Sequence, residues 1–188
     1  MKKLIVLLSI LAIASVSNAG MITLQISSLD GDPIDPTDYI EISESTWVNL
    51  DIIYIPDVAE LVMSLDAIVS VDGLGTLDIS ELTFPYDDGM NNSMVLEPGK
   101  IGEFATAKFM PGMTGILIDH ILVHCDVDDP ENDVFVVAGP GANFGGTYMA
   151  DGSPYAGTWG GVTIHQVPEP MTVALLGLGG LALLRRRK

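Results

Sequence analysis

One cysteine, eight basic residues and an aromatic content of 6% are the scarcities of this 188-residue chain. With Cys125 alone, no disulfide can form within the chain, so the fold must rest on its hydrophobic core. Six of the eight cations (Lys2, Lys3, Arg185, Arg186, Arg187 and Lys188) lie in the end segments. Lys100 and Lys108 are left to face 24 of the 25 acidic residues, a formal charge of −22 over residues 20–166. A surface so acidic repels phosphate backbones and anionic headgroups, which excludes nucleic acid as a partner. Nucleophile and phosphate-loop signatures are also missing: there is no Gly-x-Ser-x-Gly and no Gly-Lys-Ser/Thr. Cys125 sits in a β-branched run, where a thiol behaves as a small hydrophobe. Carboxylate pairs are so abundant that none singles out a glycosidase centre.

The ends carry addresses instead. Met1-Lys2-Lys3 is a basic opening, Leu4 to Ala14 an apolar run, and Ser17-Asn18-Ala19 a small-residue cleavage signature. Residues 1–19 therefore read as a secretory signal peptide cut before Gly20. At the other end, residues 167–188 hold Pro168-Glu169-Pro170, the uncharged segment Met171 to Leu184, and the basic cluster Arg185-Arg186-Arg187-Lys188. As a helix at about 1.5 Å per residue, the apolar segment would reach only ~21 Å, so it crosses a bilayer only with local thinning and snorkelling arginines. The basic cluster is expected to stay cytoplasmic and the body outside.

Pro-Glu-Pro, a short glycine-containing apolar segment and a terminal arginine cluster together resemble the PEP-CTERM sorting signal. That resemblance implies a partner, an exosortase-type membrane protease that cuts near Pro168, Glu169 and Pro170 after transient tethering by the C-terminal helix. A plain membrane anchor is the alternative reading of the same tail.

Between the ends, runs of β-branched and aliphatic residues alternate with Asp, Gly, Pro and Asn. Strands are expected at 21–28, 47–55, 61–71, 102–109, 115–127 and 133–138, with shorter ones at 39–43, 76–79, 94–96 and 162–165. Turns are expected at Asp30-Gly31-Asp32-Pro33, Asp72-Gly73, Asp87-Asp88-Gly89, Glu97-Pro98-Gly99 and Asp128-Asp129-Pro130. No sustained 3.6-residue period appears, so residues 20–166 are expected to be all-β, an antiparallel β-sandwich of eight to ten strands. The order from Ser45 to Ile52, through Pro56-Asp57-Val58, into Leu65 to Asp72 resembles the opening of cohesin-like extracellular sandwiches. Lys100 to Phe109 followed by Gly115 to Val127 is similar to their later pair of long strands, so the architecture expected is cohesin- or jelly-roll-like.

Three groups of residues invite a site. Asp30, Asp32, Asp35 and Asp38 cluster in one proline-rich loop, and Asp126, Asp128 and Asp133 in another. Clustered oxygen ligands suit calcium, the one cofactor this composition invites, although neither loop has EF-hand spacing and solvated turns explain the same residues. Within Gly139 to Gly161, Tyr148, Tyr155 and Trp159 are candidates for stacking on extracellular polysaccharide, or else for closing one end of the sandwich. On a strand, His120 and His124 would lie about 13 Å apart, too far to share one zinc ion.

These readings converge on a non-enzymatic protein exported across the inner membrane, sorted to the surface or matrix, with a structural or adhesive role. A carbohydrate- or protein-binding module of the cohesin type is the alternative, and a secreted hydrolase the remaining one.

Overall fold

The computed structural model describes residues 20–167 apart from 44, 58–59, 74, 87–89, 109–111 and 126–132. The signal-peptide segment 1–19, the sorting tail from Pro168 to Lys188, and both Asp126 and Asp128 lie outside the described residues.

Among the described residues the regular elements are all strands: β1 (Met21–Leu29), β2 (Asp32–Thr37), β3 (Tyr39–Ile42), β4 (Thr46–Ile55), β5 (Val62–Val71), β6 (Gly75–Asp78) and β7 (Met90–Glu97). They continue with β8 (Ile101–Ala107), β9 (Gly115–Cys125), β10 (Val134–Pro140), β11 (Tyr148–Met149), β12 (Thr158–Trp159) and β13 (Gly161–Gln166). Two sheets form. Sheet I runs β12-β1-β4-β9-β6, with β2 also on β1; sheet II runs β3-β13-β10-β5-β8-β7, with β11 also on β5.

The alternation read from the sequence decides which face is which. Ile22, Leu24 and Ile26 of β1 and Val48, Leu50, Ile52 and Tyr54 of β4 point inward and are buried. Opposite them stand Leu65, Ala67, Val69 and Val71 of β5, Val134, Val136 and Ala138 of β10, and Val162 and Ile164 of β13. Each side chain that leaves water for this interface contributes about 1.5–3 kcal/mol, enough in sum to replace disulfides. Phe104 is fully buried, and its ring lies over Gly102, where an added Cβ would stand 2.6 Å from ring atom Cζ. Glycine at 102 is thus the space the phenyl ring needs. Cys125 is a fully buried thiol in this core.

The sandwich class is as expected, with three departures. Residues 32–37, read as turn and loop, form strand β2, antiparallel to β1 with Ser28 opposite Pro33. Two prolines are tolerated because β2 is an edge strand, whose outer side needs no ladder donor. The short strands β11 and β12 were not legible, since glycine and turn residues surround them. Pairing is not wholly antiparallel: β12 runs parallel to β1 and β3 parallel to β13.

A bulge interrupts β9. Its partner register on β4 slips between Leu50 and Ile52, and His120 takes a left-handed backbone at φ 61. Leu117 and Ile118 are both buried as a result, while Asp119 and His120 are turned outward.

The core makes a direct prediction. Phe104→Ala should lower unfolding free energy by about 3–5 kcal/mol, read from denaturant midpoints at constant m-value.

Candidate functional site

Because the inner faces are consumed by the core, function must come from the two outer faces and the loops. The outer face of sheet II leaves large apolar side chains in water on two of its rows. Tyr39 of β3, Thr163 of β13 and Phe135 of β10 are register partners in one row. Val137 of β10, Ser70 of β5, Ile101 of β8 and Glu97 of β7 make the next. Phe135 is 45% exposed and Val137 51%, which is unusual for large hydrophobes on a central strand. Beside them lies a shallow depression of about 530 Å³, walled by Asp72, Glu97 and Lys100. Lys100 is fixed there, its Nζ donating to the carbonyl oxygens of Gly73 at 2.8 Å and Gly75 at 2.7 Å.

Further along the same face, two buried carboxyls hold down the glycine-rich loop. Glu103 Oε1 accepts from the backbone N–H of Ala142 and of Asn143, each at 2.7 Å, and Oε2 accepts from Asn143 Nδ2. Asp66 Oδ2 accepts from the N–H of Phe144 and of Gly146, each at 3.0 Å. Burial pushes both carboxyls up, but the Asn143 and Ala142 donors outweigh it at Glu103 and hold that group below its ordinary value. At Asp66 burial wins, helped by the neighbouring Glu103 charge, and the carboxyl is raised despite the Gly146 and Phe144 donors. The two neighbouring carboxyls are thus pushed in opposite directions, Asp66 up and Glu103 down. Gly141 allows this approach, since any Cβ there would collide with Asp66 Oδ1.

Sheet I carries a matching pair. Asp51 of β4 is buried on its outer face, accepting from Ser27 Oγ at 3.1 Å. Burial, then the hydrogen bond and charge of Asp119, raise Asp51 to about 7. Asp119, on the β9 bulge, feels burial too but is lowered by its bond to Asp51 and by His120.

The residues singled out by sequence are dispersed. Tyr155 is wedged edge-to-face between Tyr54, with centroids 6.5 Å apart, and Trp159, 5.7 Å away. Its hydroxyl accepts from the N–H of Ile22 at 2.9 Å and donates to the Thr158 carbonyl at 2.7 Å. Burial pushes that hydroxyl up to about 12. Tyr155 and Trp159 thus close one end of the sandwich, while Tyr148 stands 37% exposed on β11. Among the described residues no three His, Cys, Asp or Glu side chains are grouped to hold a metal ion. Asp30 instead accepts the N–H of Trp47 at 2.8 Å, Asp32 and Asp35 lie within β2, and Asp38 follows it. Asp133 meets His165 Nδ1 at 2.5 Å. His124 sits beside Ser45 and Trp47, and His120 beside Asp119 and Thr83. Sequence reasoning missed both carboxyl pairs, whose members lie far apart in the chain; the only local hint was an acid inside a β-branched run.

Comparison with known proteins agrees with this geometry. Residues 166–188 match the family model of the PEP-CTERM protein-sorting motif. The sandwich has a cohesin-like fold. It is similar to a type III cohesin module from a cell-surface anchoring scaffoldin of Ruminococcus flavefaciens, with a TM-score of 0.58 at 10% identity, over 84% of this chain and 92% of that one. It is also similar to the sixth cohesin of Acetivibrio cellulolyticus scaffoldin B, solved in complex with a dockerin, with a TM-score of 0.55 at 8% identity over 79% of this chain and 99% of that one. A Clostridium acetobutylicum cohesin gives a TM-score of 0.51 at 13% identity, covering 83% and 96% of the two chains. No curated protein matches the chain in sequence. A sorting motif behind a cohesin-like sandwich fits an exported structural or binding module. Among the described residues no helix is long and apolar enough to cross a membrane; residues 171–184 lie outside them.

The buried pair on sheet I sets a pH dependence. The native state holds a proton on Asp51 that the unfolded chain releases above about pH 4, so this group makes stability fall as pH rises from about 4 to about 7. Asp119 is held below its ordinary value in the native state, so its contribution has the opposite sign and is confined to the lower end of that window, where the unfolded Asp still binds protons. Asp51→Asn should flatten the profile of unfolding midpoint against pH between those limits, relative to the unsubstituted chain.

Proposed function

We propose that this chain is an exported surface module, delivered by an exosortase-type membrane protease acting at Pro168, Glu169 and Pro170, that docks another protein through the outer face of sheet II. Its role is structural or adhesive, and no chemistry is assigned to it. The observation that carries the docking reading is the pair Phe135 and Val137, two large hydrophobes left about half exposed to water on a central strand. Burial of such side chains is what drives association, and the fixed Lys100, Asp72 and Glu97 at the margin supply orientation. The Asp66–Glu103 pair fits the same reading, because it pins the glycine-rich loop further along that face. That a cohesin of the same fold was solved with a dockerin on it adds to the case for a protein partner.

Two further expectations stand as proposals beside it. Polysaccharide contact falls to Tyr148, since Tyr155 and Trp159 are occupied in packing. Calcium falls to the loop of Asp126, Asp128 and Asp133, because Asp30, Asp32, Asp35 and Asp38 do not converge.

The docking reading is tested by charge insertion. In pull-downs from the native envelope, Phe135→Asp with Val137→Asp should lose the captured partner by tenfold or more, about 1.4 kcal/mol at least. The melting midpoint should stay close to that of the unsubstituted chain, because both side chains are exposed. Equal capture by both proteins would place the partner elsewhere.

A further inference from the structure

The last strand ends hard against the sorting motif. β13 closes at Gln166, and the N–H of Val167 still donates to the carbonyl of Ile42 at 2.8 Å, so paired backbone runs to within a peptide bond of Pro168. Pro168 has no N–H, and a ladder on β3 cannot use it. Proteases act on chain that is not tied down, and an extended peptide in a cleft needs its backbone groups for the enzyme. The residues just ahead of the motif are already bonded to a neighbouring strand.

Lateral support thins toward this end. Among the described residues the ladder with β10 stops at Ile164 opposite Val134. His165 and Gln166 pair with Glu41 and Ile42 of β3, a four-residue strand at the edge of its sheet. Two partly exposed side-chain ties remain. His165 Nδ1 meets Asp133 Oδ1 at 2.5 Å, and the Tyr39 ring stacks on His165 with centroids 6.4 Å apart.

Gln166 weakens the same end from inside. Alternation turns Val162, Ile164 and Gln166 into the sandwich, and Gln166 is completely buried there. Neither Oε1 nor Nε2 of its amide has a hydrogen-bond partner among the described residues. A primary amide has two donors and a carbonyl oxygen, so its whole hydrogen-bonding capacity goes unmet in the closed strand and is met by water once the strand opens. Burial without partners costs free energy that opening returns, whereas an apolar residue in the same place carries no such cost. Its register partner Ile42, also buried, is the kind of residue this position otherwise takes.

We infer that residues 165–167 form a release segment, which peels from β3, hydrates the Gln166 amide and gives the sorting protease an extended stretch ahead of Pro168 while the rest of the sandwich stays folded. This rests on the reading that the protease cuts at Pro168-Glu169-Pro170. Local opening of this kind needs far less free energy than global unfolding, and cutting follows the population of the open form when opening is fast relative to cleavage. Gln166 acts on the cut through strand opening and touches no reacting atom.

The test uses the full chain and two readouts. In detergent, the Val167 amide should exchange its hydrogen much faster than amides of the central strands β4 and β5. Gln166→Met, unbranched and of similar length, removes the unpaired amide and should slow Val167 exchange about tenfold. In the native host the same substitution should slow the appearance of the chain without its tail by about the same factor. Gln166→Met with Gly-Ser-Gly-Ser inserted after Val167 supplies the extended stretch outside the fold and should be cut at least as fast as the unsubstituted chain. Equal Val167 exchange with and without Gln166→Met, or equal cutting of those two chains, would overturn the release segment and leave the sorting reading intact. No shortened form from any of the three chains would instead contradict the sorting reading, and the inference with it.

Discussion

Everything in this molecule depends on two sheets pressing their aliphatic faces together. No disulfide reinforces them, since Cys125 is the single cysteine, and among the described residues there is no helix to cover either outer face. Alternation of aliphatic residues along β1, β4, β5 and β10 commits one side of each strand to the interior. The other side is left to two uses: buried carboxyls that hold loops and a bulge in place, and exposed groups that can meet a partner. Sheet I shows polar groups there: Gln25, Ser27, Asn49 and Asp51. Sheet II shows Tyr39, Phe135 and Val137.

The scarcity of cations shapes the rest. With Lys100 and Lys108 as the only basic residues of the body besides histidine, buried carboxyls cannot be neutralised by salt bridges in the usual way. The fold uses two other means. In each of the pairs Asp66 with Glu103 and Asp51 with Asp119, the environment pushes one carboxyl up and holds the other down, which eases the crowding of two negative charges. Backbone and hydroxyl donors then satisfy the remaining oxygens. Each pair also fixes a departure from regular strand: the glycine-rich loop over sheet II, and the β9 bulge that turns His120 outward.

How much of this was legible in the sequence follows from the range of the interactions. Period-two patterning is local, so β1, β4, β5, β8, β9 and β10 could be placed within a few residues. Pro33 and Pro36 disguised β2, because an edge strand tolerates what a central strand does not. The Tyr155 stack could be read as surface or as packing until Tyr54 was seen beneath it. Neither carboxyl pair could be found at all: Asp66 and Glu103 meet only because β5 and β8 are neighbours in sheet II. The tail was the reverse case, a contiguous signal whose order and spacing were sufficient, and residues 166–188 match the motif it resembles.

The proposed delivery to the surface joins these parts, for an exposed docking face is useful only where a partner can reach it. The most direct test is the intact mass and terminal peptides of the chain recovered from the native envelope and medium. The account predicts a surface or medium species that begins at Gly20 and ends near Pro168. A membrane-bound chain still carrying Arg185 to Lys188, with no shorter form in either fraction, would contradict it.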